Sequence, residues 1–248
     1  LTNPDVDTRA KYNAFIASSF PLFTEADVAQ LNSIYNIQNA ISGNNGTRFD
    51  TLGDSGPTAL NQSEFATGIQ QAVFTIQAET TFNCPAQWLA EAFSSNLQSK
   101  KQAWKYQYSV TPAYHGADLS AYFSAHATTP NIDFRHTFQK IWGNFIIHNT
   151  PVISVADATA GYMNATVPSG DDGMISWPAF TEGEPWQMDL NTTGGTTTKK
   201  VVTSRLSYYE RTGEGIVNTF RLANASSWEG GRGARCEFWR SVAARVPQ

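Results

Sequence analysis

Residues 104–110 read WKYQYSV, a short run dominated by aromatic and β-branched side chains. That composition specifies a strand. Its period of two sets Lys105 and Gln107 on one face and Tyr106 and Tyr108 on the other. Thr111-Pro112 ends the run, because proline brings no N–H to a ladder and restricts the residue before it. A short loop follows, carrying His115-Gly116 just past the strand's carboxyl end. In open α/β sheets that edge gathers ligands and reactive side chains. Asp118 is placed to cap a helical turn from Leu119. A lone loop histidine is by default a surface or hydrogen-bonded structural residue, so the rest of the chain has to decide its role.

Helical spacing surrounds the strand. Asp5 or Asp7 opens a helix through Ser19 with Tyr12, Phe15 and Ile16 on one face. Thr24-Glu-Ala-Asp27 is an N-cap followed by acidic first-turn residues. It opens a helix through Tyr35 that buries Val28, Leu31 and Ile34. Residues 36–62, rich in Asn, Gly, Ser and Thr, read as a surface excursion. Phe65, Ile69, Ala72, Val73 and Ile76 mark a helix over 63–80. Pro85 suits the first turn of a further helix through Leu97, with Trp88, Leu89, Ala92 and Phe93 as its buried stripe. A long helix over 132–148 repeats Phe134, Phe138, Ile141, Trp142 and Phe145. Residues 149–200 read as loop-rich, 221–232 as polar and irregular, and the chain closes on an amphipathic turn with Val242 and Val246.

The bulk numbers exclude several classes of function. The 248 residues carry a net charge of −4 and no basic stripe, which argues against nucleic acid as a partner. No apolar run approaches the roughly 18 residues that a membrane-spanning helix needs. The amino-terminal residues lack an apolar stretch, so a secretory leader is expected to be already removed or to lie off this piece. His136 and His148 fall on the long helix and His126 in a loop. No two histidines have metal-ligand spacing, and neither a metal nor a cofactor is expected. Gly53-Asp-Ser55-Gly-Pro57 resembles the serine neighbourhood of trypsin-like proteases. That fold places its histidine before its serine, whereas all 4 histidines here follow Ser55. Pro57 also breaks the Gly-x-Ser-x-Gly pattern, so a turn is the better reading.

Five glycosylation sequons, at Asn45, Asn61, Asn164, Asn191 and Asn224, together with few lysines and 2 cysteines, favour a secreted glycoprotein. In that setting Cys84 and Cys236 suggest a disulfide, two buried free thiols being the alternative.

Several segments, taken in order, resemble the type-B carboxylesterase and lipase family, which includes the cholinesterases and secreted fungal enzymes. They are Phe82-Asn-Cys84-Pro85, the aromatic strand with His115-Gly-Ala-Asp118-Leu119, Trp177-Pro-Ala-Phe180, Trp186 to Leu190, and Cys236-Glu-Phe-Trp239. The resemblance covers nearly the whole chain. It implies that residues 1–248 are the carboxyl-terminal portion of a single α/β-hydrolase domain. It also implies a bridge between Cys84 and Cys236, and His115 as the base of a Ser-Glu/Asp-His triad.

The family's remaining chemistry is not in this sequence. There is no Gly-x-Ser-x-Gly elbow and no glycine-rich oxyanion segment, and the Asp-Glu-Gly segment that usually carries the acid is missing. Glu79, Asp118 and Asp133 are acids within reach in sequence, but none stands where the family places its triad acid. Asp118 reads better as a cap or a second support. Tyr114 and Phe123 flank the histidine, as packing or as lining of a substrate gorge. The expectation is an ester hydrolase whose serine, acid and oxyanion donors lie on an amino-terminal chain that completes the sheet. A cholinesterase-like binding or adhesion module that kept the fold without the catalysis is the alternative.

Overall fold

A computed structural model describes residues 6–37, 68–94, 102–111, 113, 115–123, 131–203 and 206–247. The expected excursion with Ser55, Asn45 and Asn61 lies outside them apart from residues 36–37, and so do Tyr114, His126 and the side chain of Phe123. Among the described residues the fold mixes helix and strand.

Helix α1 (Arg9–Ser19) opens on Thr8, whose hydroxyl accepts from the Lys11 N–H. Helix α2 (Glu25–Ile34) opens on a complete capping box in which Thr24 and Asp27 satisfy each other's backbone donors. Tyr12, Ile16 and Leu31 are buried, and Phe15, Val28 and Ile34 pack at the margin of the same cluster.

Helix α3 (Gly68–Ala78), a π-helical turn (Glu79–Asn83) and helix α4 (Cys84–Ser94) follow one another without a break. The expectation that Pro85 begins a new helix is corrected here: it lies inside one rod. Proline has no N–H for the Thr81 carbonyl and its ring crowds that carbonyl. The π-turn, where the Cys84 N–H bonds the Glu79 carbonyl, absorbs the conflict. Thr80 Oγ1 lies 2.8 Å from the Ile76 carbonyl and 3.2 Å from that of Gln77, bringing a donor to the widened turn. The extra residue also turns the following helix. Cys84, Gln87 and Ala90 face inward, while Leu89, Ala92 and Phe93, expected inside, are exposed.

Strand β1 (Lys105–Tyr108) is followed by helix α5 (Leu119–Phe123), helix α6 (Ile132–His148) and helix α7 (Val155–Thr159). Strands β2 (Trp186–Thr193), β3 (Thr196–Thr203), β4 (Leu206–Thr212) and β5 (Val217–Asn224) come next, then helix α8 (Trp228–Ser241). A mixed sheet has the order β1-β2-β5: β1 runs parallel to β2, with Tyr106 opposite Met188, and β2 antiparallel to β5, with Leu190 opposite Phe220. Strands β3 and β4 form a separate antiparallel pair between β2 and β5 in sequence. Strand β2 corrects the loop-rich reading of 149–200, and β5 with the start of α8 corrects the irregular reading of 221–232. Period-two hydrophobicity did not reveal β2 because Gln187, Asp189 and Asn191 are polar yet buried, so both faces of the strand are covered.

Asn131 caps α6 by accepting from the Asp133 and Phe134 N–H groups. Phe134 and Phe138 of that helix meet Tyr108, Tyr106 and Phe220 edge-on across one sheet face. This sheet cluster and the helical cluster of α1–α4 and α8 are distinct apolar cores. A buried charged layer connects them.

Candidate functional site

That layer begins at the π-turn. Glu79 is fully buried, and its carboxylate takes a forked ion pair from Arg235 of α8, with Nη2–Oε1 at 2.7 Å and Nε–Oε2 at 2.9 Å. The Tyr35 hydroxyl donates to the same carboxylate and accepts from Trp239 Nε1 at 2.7 Å. Burial, followed by the Glu79 charge, pushes the Tyr35 hydroxyl's pKa well above its ordinary value. Arg235 also donates to the backbone carbonyls of Glu229 and Gly230, within a kink where Glu229, Gly230 and Gly231 all have positive φ. Arg232 reaches from α8 to Gln107 of β1 at 2.9 Å and to Glu229 at 2.7 Å. Burial raises the Glu229 carboxyl's pKa, and Arg232 opposes that rise.

Lys105, read from the sequence only as the polar side of β1, proves to be 8% exposed. Its Nζ donates to Gln187 Oε1 at 2.6 Å. Burial, reinforced by repulsion from Arg232 and opposed by Glu229, pushes this amine down to about 7. Farther along that face Asp189 is buried beside Arg221, whose Nε lies 3.2 Å from Oδ2. Desolvation raises the Asp189 carboxyl against the pull of Ser109 and Arg221.

The loop after β1 carries His115, itself exposed, in a turn completed by Gly116 at φ 80°. The imidazole lies face to face with the Phe82 ring, centroids 4.5 Å apart and planes inclined by 25°. Phe82 belongs to the π-turn, so the segment before Cys84-Pro85 and the loop after β1 meet at this histidine.

The three acids near it in sequence are engaged elsewhere. Glu79 is held by Arg235. Asp118 accepts from the Tyr106 hydroxyl at 3.2 Å and from that of Tyr122 at 3.4 Å. Burial first, and Asp118 second, raise the pKa of both phenols. Asp133 lies in the first turn of α6, beside Tyr162. Among the described residues no hydrogen bond or ion pair joins any of the three to His115. His136 and His148 are exposed on α6, and no group of three or more metal-ligating side chains gathers among the described residues.

Cys84 and Cys236 form a disulfide, Cα atoms 5.2 Å apart. No helix among the described residues is long and apolar enough to cross a membrane. Of the three sequons described, Asn164 is exposed, Asn224 half-buried and Asn191 buried in β2. Sequence reasoning missed Phe82 as a neighbour of His115 and missed the Glu79–Arg235 pair. The signal it passed over was Pro85 inside a helical pattern, which implies a distorted turn just before it. No protein-family model, curated protein or solved structure matches the chain.

Proposed function

We propose that the chain is the carboxyl-terminal part of an α/β-hydrolase that cleaves carboxylic esters, with His115 as its general base. The observation that carries the reading is the placement of His115. The imidazole is exposed on the loop that follows a parallel strand, with its ring held by an aromatic partner. The bridged cysteines on which the resemblance rests add support. In this reading His115 takes the proton of a serine as that serine attacks the ester carbonyl. It returns the proton to the leaving alcohol and repeats both steps with water, releasing the acid. The serine, the orienting carboxylate and the oxyanion donors are supplied by an amino-terminal chain.

Exposed apolar side chains support such a partner. Ile146 and Ile147, at the end of α6, are 74% and 71% exposed, and Phe145 beside them meets Trp104 edge-on. The partner would cover this face and complete the sheet. The protein would be a secreted glycoprotein whose substrate is a small-molecule or lipid ester. A non-catalytic binding or adhesion module is the second reading, favoured by the absence of a bonded acid at His115 among the described residues.

A fluorophosphonate probe applied to the protein purified from its source, followed by denaturing mass analysis, separates the two. Labelling of a serine on an accompanying polypeptide, lost on His115→Gln, supports the hydrolase. A homogeneous unlabelled chain with no partner overturns it.

A further inference from the structure

An imidazole acting as a base needs both nitrogens free in the plane of its ring, one toward the nucleophile and one toward the carboxylate. Hydrogen bonds to those nitrogens lie in that plane, so a partner on the ring face blocks neither. Phe82 occupies that face, 4.5 Å away and nearly parallel. Its own ring is 39% exposed, so it is not there to fill a core.

The turn that carries Phe82 is fixed at both ends by adjacent residues of one helix. Three residues before it, Glu79 is paired with Arg235; two residues after it, Cys84 is bridged to Cys236. A turn anchored in this way presents its exposed ring as a fixed surface. The π-geometry is what lets Glu79 and Cys84 both point inward while Phe82 points out.

Resting on the hydrolase reading above, we propose that Phe82 is the positioning residue of His115: its ring holds the imidazole plane at an exposed position after β1.

The test uses the protein with its partner chain, carrying 13C-labelled histidine, as wild type, Phe82→Leu and Phe82→Tyr, with His115→Gln to assign the resonance. A ring stacked on the imidazole shifts its carbon-bound proton signal upfield. Phe82→Leu is expected to move the His115 signal downfield and to lower kcat roughly two- to tenfold, with KM unchanged. Phe82→Tyr restores both. Because the ring is at the surface, each variant is expected to fold, which formation of the Cys84–Cys236 bridge checks. An unmoved His115 signal overturns the proposal, and so does a moved signal with unchanged kcat. A wild-type complex that hydrolyses no ester overturns the hydrolase reading itself, and the positioning role with it.

Discussion

Arg235 of α8 and Glu79 of the π-turn, 156 residues apart, form a forked ion pair with both side chains buried. The next residue, Cys236, bridges to Cys84, five residues beyond Glu79. One turn of α8 therefore holds the whole π-turn by a covalent and an ionic contact.

Removing one member of a buried pair leaves the other charge uncompensated. Arg235→Met is expected to cost about 3–5 kcal/mol in urea unfolding. Glu79→Gln should cost a comparable amount, because it leaves the Arg235 guanidinium buried without a counter-charge. If Arg235→Met unfolds at the wild-type urea midpoint, the pair is not a structural anchor.

The bridge closes a loop across a sequence separation of 152. The Cys84→Ser, Cys236→Ser double variant should lose about 2–5 kcal/mol, the range for native disulfides in small secreted domains. Denaturation of the bridged and double-variant proteins side by side measures the difference.

Lys105 carries a pH signature. Its folded-state pKa is near 7 against an ordinary 10.5, so between those values the unfolded chain binds a proton that the folded chain has shed. Unfolding free energy from this group therefore rises with pH across that window and is lowest below it. Lys105→Met should flatten the slope and stabilise the protein by a few kcal/mol at pH of about 6. Urea unfolding of both proteins at several pH values checks the sign; a Lys105→Met slope equal to wild type removes the assignment.

Expression through a eukaryotic secretory pathway should place a glycan on Asn164, exposed in a turn. Asn191, 7% exposed in β2, with its Oδ1 accepting from the Thr192 N–H, should carry none. Glycopeptide mass spectrometry reads the two sites separately, and a fully occupied Asn191 would contradict the burial of β2.

Gly194 joins β2 to β3 at φ 82°, and a Cβ there would lie 2.0 Å from the Gly215 carbonyl oxygen. Gly194→Ala should destabilise by at least about 2 kcal/mol, from the disfavoured dihedral and from displaced backbone. A thermal melt unchanged from wild type would mean that the two turns do not approach this closely.

The sequence by itself determined elements whose signals are local. The Thr24–Asp27 capping box follows from a four-residue pattern, and α6 from aromatic spacing at three and four residues. β1 follows from a short aromatic run cut off by Pro112. Each depends on neighbours within a turn or two, where backbone geometry alone dictates the outcome. The loop position of His115 was legible for the same reason.

Tertiary structure decided what depends on distant partners. β2 is a buried strand although its sequence is half polar, because Lys105 of β1 donates to Gln187 Oε1 and Arg221 of β5 donates to Asp189 Oδ2. Pro85 sits inside a helix instead of starting one, because the π-turn before it is pinned to α8. Leu89 and Phe93 face outward because that turn rotates α4. The stacking of Phe82 on His115 brings together residues 33 positions apart along the chain. No local periodicity encodes such a contact: it exists only because a disulfide and a buried ion pair fix the π-turn beside the end of β1.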